Sequence, residues 1–179
     1  MSLDKRKSYS AGILPYTIRD GVIYYLLGRD WRDEGWSDFG GKVEEKDVTI
    51  SDTAMREFYE ETMGSVLSRD QLEHKFIGQQ NKKQIKSVTL NGSPYYMYFV
   101  EVEDDNYGKY FEKTYNFMRW VRFNDSKYLE KCEISWFESN ELNDTPLKLR
   151  NIFKRTLTRC NSYIKEIEKE ILKENALKR

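Results

Sequence analysis

An α+β sandwich closed by a long terminal helix is the fold class this sequence predicts, on three observations. Apolar and aromatic runs of strand character fill the N-terminal part. A stretch of helical spacing follows in the middle. After further strand-like runs, the apolar residues return at helical spacing toward the C-terminus. Taken in order, Ala11, Ile13, Leu14 and Tyr16 predict a strand over 9–18, and residues 22–27 a second. Arg19-Asp20-Gly21 joins them, Asp-Gly being a strong hairpin signal. Residues 29–35 are charged and read as a loop. Trp36-Ser37-Asp38-Phe39-Gly40-Gly41-Lys42-Val43 reads as a short strand or turn opening into another loop, and 44–50 shows no period.

A helix capped at Ser51 or Asp52 comes next, with Ala54 and Phe58 as its apolar stripe and Gly64 as its stop. Residues 94–103 and 115–123 read as two long strands, the first alternating Tyr96, Tyr98 and Val100 against Tyr95, Met97 and Phe99. Residues 133–137 read as a shorter strand. Thr145-Pro146 supplies a cap and a first-turn proline. From there Leu149, Ile152, Phe153, Leu157, Cys160, Ile164, Ile167 and Ile171 predict one helix to about residue 173.

A chain of 179 residues can bury one core, which assigns 8–160 to a single domain, 1–7 to a flexible N-terminus and 161–179 to the helix end and tail. Thirty basic and 30 acidic residues cancel, so no global field recruits nucleic acid. The 13 Tyr and four Trp argue against disorder. Cys132 and Cys160 lack metal-ligand or framework spacing and read as reduced thiols of a cytoplasmic protein. No apolar run approaches the ~20 residues a bilayer needs, so no membrane association is expected.

The chemistry concentrates in Arg56-Glu57-Phe58-Tyr59-Glu60-Glu61, which follows the pair Gly40-Gly41. In a helix this spacing sets Glu57, Glu60 and Glu61 on one face with Arg56 beside them. Like charges so crowded destabilise a solvated helix, whereas hard divalent cations bind through such oxygens. The alternative is a glutamate-rich solvated face.

These residues resemble the signature of the Nudix hydrolases, which cleave nucleoside diphosphates linked to another moiety. That signature is a glycine, five residues, Glu, seven residues, then Arg-Glu-apolar-any-Glu-Glu-any-Gly-apolar. Gly41, Arg56, Glu57, Phe58, Glu60 and Glu61 fit it, and Trp36 to Glu44 is similar to the family's lead-in strand, with Phe39 where proline is usual. Two departures stand out. Counted from Gly41, the upstream acid falls on Asp47, one residue too far from Arg56. Met63 stands where the signature glycine belongs, with Gly64 next.

The resemblance implies a Nudix-type α/β/α sandwich with a mixed sheet. It also implies Mg2+ or Mn2+ held by Glu57, Glu60, Glu61 and the Gly41 carbonyl, with Arg56 orienting the carboxylates. For the general base it points to a signature glutamate or to an acid before a late strand carrying Trp. Here Glu130 and Glu133 precede Trp136, and Glu133 is favoured. Arg29, Arg32, Lys42 and Trp36 are the substrate-binding candidates, since arginine forks suit phosphates and an indole stacks on a base. Trp31, Tyr95 and Tyr98 could stack too, though strand aromatics are more often core, and His74 reads as a surface residue.

A nucleotide-derived small molecule is the expected substrate: a nucleotide sugar, dinucleoside polyphosphate or nucleoside triphosphate. From residue 148 onward ten Lys or Arg face four Glu, which keeps capped RNA as an alternative. A catalytically silent nucleotide-binding module is the other alternative. The apolar face of the terminal helix would dock on the core or on a second copy, leaving a homodimer open; Asn161-Ser162 interrupts any heptad.

Overall fold

The computed structural model describes residues 8–77, 83–121, 126–144 and 147–178. The expected flexible segment 1–7 and the Thr145-Pro146 cap lie outside them. The chain opens on a hairpin, β1 (Ser10–Arg19) and β2 (Val22–Asp30). Asp20 (φ 50°) and Gly21 (φ 81°) both take the left-handed backbone that a tight two-residue turn between twisted strands requires. β3 (Trp36–Ser37), β4 (Phe39–Lys42), β5 (Gln84–Val88), β6 (Pro94–Glu101) and β7 (Lys131–Glu138) complete the sheet.

Its order is β3-β2-β1-β6-β5, with β4 on β1 and β7 on β2. β1 pairs in parallel with β6 and antiparallel with β2 and β4, so the sheet is mixed. β4 takes the first half of one β1 edge and β2 the second half, while β6 runs along the other edge.

Alternation divides the sheet between two cores. Ala11, Ile13, Leu26 and Phe39 join Ala54 and Phe58 of α1 (Ile50–Thr62), Leu72 and Phe76 of α2 (Arg69–Phe76) and Phe111 of α3 (Tyr107–Trp120). On the opposite face Leu14, Tyr25, Leu27 and Met97 meet Leu142 of α4 (Glu141–Asp144), Phe153 and Leu157 of α5 (Asn151–Arg159) and Ile164 and Ile171 of α6 (Asn161–Leu177). A mixed sheet between two helical layers is the α/β/α sandwich expected. The apolar face of α6 is spent inside this core, where Tyr25 also donates to the buried Glu168 carboxylate at 2.9 Å.

Two local expectations need correction. Residues 115–120 are the end of α3, not a strand; Arg122 and Phe123 lie outside the described residues. The aromatic run there carries β propensity, but Tyr107 and Phe111, four apart, bury one helical face, and packing overrides propensity. The terminal helix is two helices. Residues 148–150 run extended beside β3, with Trp36 N–H donating to the Lys148 carbonyl and Arg150 N–H to that of Trp36. α5 and α6 then meet at a bend at Cys160 (φ −102°, ψ 15°), next to the weak helix formers Asn161-Ser162. α2 and β5 carry too little apolar period to be read from the sequence.

Candidate active site

The cap of α1 is Thr49, two residues before the earlier of the two expected. Thr49 accepts from the Asp52 N–H while the Asp52 carboxylate accepts from the Thr49 N–H, a reciprocal cap. On its apolar side Phe58 meets Phe39 edge to face at 5.4 Å, which fixes the acidic side of the helix against β4. There Gly41 has no room for a side chain. A Cβ would fall 2.5 Å from the Glu57 carboxylate oxygens, so only glycine admits this approach.

Arg56, with a side chain only 9 % exposed, ties the cluster together. Nη1 donates to Glu57 Oε1 at 2.8 Å and to Glu60 Oε2 at 3.1 Å. Nε and Nη2 reach Asp47 at 3.0 and 2.9 Å, and Nη2 also meets the Lys42 carbonyl at 2.8 Å. Asp47 therefore reaches the arginine despite its extra residue of separation, because the 44–49 turn absorbs the insertion. Burial alone would raise the Asp47 carboxyl, but the Arg56 hydrogen bonds outweigh it and hold the group below its ordinary range. The other departure settles likewise. Met63 itself adopts the left-handed cap (φ 52°, ψ 32°) that the signature gives to glycine.

Glu61 is the deepest of the acids, 2 % exposed, and burial raises it against the pull of Lys131. Its Oε2 accepts from the Gly40 N–H at 2.8 Å, and its Oε1 lies 3.4 Å from Lys131 Nζ. Burial also raises Glu57, with Arg56 opposing. Lys131, fully enclosed, donates to Ser37 Oγ at 2.9 Å. Alongside, Tyr95 donates its hydroxyl proton to buried Asp38.

Burial pushes Asp38 from 3.8 to about 6, the Tyr95 hydrogen bond and Lys131 pulling the other way. The folded state thus binds this proton more tightly than the unfolded chain. The stability so gained is complete below the unfolded value and lost as pH rises through about 6, on the order of 2–3 kcal/mol. An Asp38→Asn variant has no such proton to lose. Its stability relative to the unsubstituted protein, followed by thermal unfolding, is expected to improve steadily between about pH 4 and pH 7; parallel curves would rule this titration out.

The structure brings together Arg56, Glu57, Glu60, Glu61, Gly41 and the Lys42 backbone. The remaining candidates lie elsewhere. Trp36 is 9 % exposed and packs edge to face on Phe137 at 4.8 Å, which makes it core. Tyr95 and Tyr98 are buried as well. Arg32 stacks on the exposed Trp31, and His74 is exposed on α2. Arg29 and Glu133 sit opposite each other on β2 and β7 and pair at 2.8 Å. Their neighbours Leu27 and Phe137 belong to the α5/α6 core while Ile134 faces α1, so alternation turns Glu133 away from the acidic helix. Glu130 is different, because its charge adds to the rise of both Glu57 and Glu61.

Sequence reasoning missed Lys131, Ser37 and Asp38. The register shift between Arg29 and Asp30, where β7 pairs, accompanies the inward turn of Lys131, and no spacing rule marks it. It also missed Lys46, 3.7 Å from Glu60, and Arg69, stacked on Tyr59 at 4.7 Å. With Arg56 these line a 310 Å3 groove between α1 and α2.

Among the described residues no three His, Cys, Asp or Glu side chains converge as a ready cation cage. The donors nonetheless suit a hard ion. Carboxylates line one face of α1, and the Gly41 backbone lies against Glu57 with no intervening side chain. Gly41→Ala is expected to push Glu57 out of place and lower any turnover about 10²-fold, with the fold intact by circular dichroism; an unchanged rate would show that this approach is dispensable.

The NUDIX domain family matches residues 7–159. In structure the chain is similar to a C. elegans Ap4A hydrolase, at 12 % identity and TM-score 0.54, covering 91 % of this chain and 97 % of that one. It is also similar to the NUDIX domain of Shewanella oneidensis NrtR complexed with ADP ribose, at 13 % identity and TM-score 0.53, covering 90 % and 88 %. Such identities speak for the fold alone. In sequence it is 48 % identical over 58 residues to the uncharacterized protein L534 of Acanthamoeba polyphaga mimivirus, a match that spans 30 % of this chain and only 19 % of that protein.

Proposed function

Because this chain belongs to the NUDIX family, we propose that it hydrolyses the pyrophosphate bond of a nucleoside diphosphate linked to another moiety. The observation that supports this best is the Arg56 clasp. One buried guanidinium holds Asp47, Glu57 and Glu60 in a fixed array beside a backbone stripped of side chains at Gly41. Glu57 and Glu60, with the Gly41 carbonyl, are the residues to hold Mg2+ or Mn2+, and Glu61 lies behind them. Such an ion neutralises phosphate oxygens and lowers the pKa of a bound water.

The chain's own groups do the rest. Arg56 orients the carboxylates. Lys46 and Arg69, lining the adjoining groove, draw in the phosphates, and Tyr59 offers a ring there. Lys42, exposed beside the clasp, is a further phosphate contact. Glu130, whose charge reaches the acidic face, is better suited than Glu133 to accept the proton of the attacking water. A cytoplasmic location fits the two free thiols, Cys132 and Cys160. Among the described residues no helix is long and apolar enough to cross a membrane.

The test is incubation with Mg2+ or Mn2+ and a panel of ADP-ribose, diadenosine polyphosphates, nucleoside triphosphates, nucleotide sugars and capped RNA, with products identified by mass. Cleavage of a small-molecule anhydride is expected. Cleavage confined to capped RNA would move the substrate class to mRNA 5′ ends. Binding without product would make the protein a silent nucleotide-binding module.

A further inference from the structure

We propose that Lys131 is a positioning residue that reserves Glu61, so that the divalent cation of the reaction proposed above is held through Glu57 and Glu60 and not through all three acids. The signature alone makes the three glutamates equivalent, but their surroundings do not. Both oxygens of Glu61 are already committed, Oε1 to the Lys131 ammonium at 3.4 Å and Oε2 to the Gly40 N–H at 2.8 Å. Arg56, by contrast, takes one oxygen from each of the others, Oε1 of Glu57 and Oε2 of Glu60. That leaves Glu57 Oε2 outside the clasp, and Glu60 Oε1 facing Lys46, an exposed lysine 3.7 Å away.

Lys131 is held beside Glu61 at both ends. Its stem is packed over Gly28, where even a Cβ would come within 2.9 Å of the lysine Cδ and 2.8 Å of the Phe39 ring. Its ammonium is anchored on Ser37 Oγ at 2.9 Å. A lysine with no exposed side-chain surface costs several kcal/mol to desolvate and persists only with a carboxylate in contact. Glu61 fills that need, and in return the Gly40 amide is tied to α1, holding β4 where Gly41 meets Glu57. The ammonium thus supplies from within the fold a positive charge that a further bound ion would otherwise bring.

Mn2+ binding without substrate, followed by the electron paramagnetic resonance of free Mn2+, tests this independently of turnover. Glu57→Gln and Glu60→Gln are expected to weaken Mn2+ by 10-fold or more, and Glu61→Gln by less than about 3-fold. Lys131→Met frees a carboxylate and is expected to bind Mn2+ about 10-fold tighter or to take an additional ion, while melting earlier without metal. Should Lys131→Met not fold, the Lys131→Met/Glu61→Gln pair, which carries no uncompensated charge, decides the matter. Affinity within about 3-fold of the unsubstituted protein supports the assignment, and a greater loss overturns it. Glu61→Gln binding as weakly as Glu57→Gln, or a folded Lys131→Met with unchanged Mn2+ binding, also overturns it while the hydrolase reading stands. An unsubstituted protein that binds no Mn2+ removes the cation-dependent reading and this assignment together.

Discussion

Glu57→Gln and Glu60→Gln are each expected to lower hydrolysis about 10²–10³-fold with the melting temperature unchanged or slightly higher. The amide keeps the shape of the carboxylate, and its carbonyl oxygen still accepts from Arg56 Nη1, now 2.8 and 3.1 Å from the two acids. What disappears is one negative charge in a largely desolvated site. Removal of a single pre-organised electrostatic contact at such a site typically costs this much in rate. Stability moves the other way, because the substitution relieves repulsion between neighbouring carboxylates. Steady-state rates on whichever panel member is cleaved, with melting curves on the same samples, give both halves of the test. Full turnover by either variant would remove that acid from the site.

Arg56→Met is expected to fail differently, losing stability as well as rate. The methionine fills much of the volume but leaves Asp47, Glu57 and Glu60 crowded without their shared counter-charge, and the Lys42 carbonyl without its donor. Breaking a buried ion network from one side costs about 3–5 kcal/mol, or about 6–20 °C in melting temperature for a chain of this size. Arg56→Lys should recover little, since one ammonium cannot span partners that the guanidinium meets from three nitrogens. Urea unfolding of both variants is the measurement, and a midpoint equal to that of the unsubstituted protein would show that the acids do not need the clasp.

How far the sequence could be read depended on the range of the forces involved. The acidic face of α1 was legible because helical spacing is local, and the hairpin because Asp20-Gly21 is a local conformational choice. Even the displaced Asp47 stood out by its distance from Gly41, although its reach to Arg56 required the turn to be seen. Trp36, Arg29 and Glu133 looked like site residues by their place in the chain, but which face a strand residue occupies is set by register with its neighbours. Lys131 shows the same limit from the other side. Its inward turn accompanies an irregular pairing of β7 with β2, and its partner Glu61 lies on another element altogether. The α3 segment misled for a related reason, its aromatics favouring a strand until Tyr107 and Phe111 found a core to bury against.

The parallel pairing of β1 with β6 has a consequence during synthesis. Once the N-terminal hairpin leaves the ribosome, β4 and β2 can satisfy one side of β1, yet the other side must wait several seconds for its partner at ordinary elongation rates. Until then an apolar strand offers unpaired amides to any extended chain nearby, which makes the nascent polypeptide a natural client for chaperones.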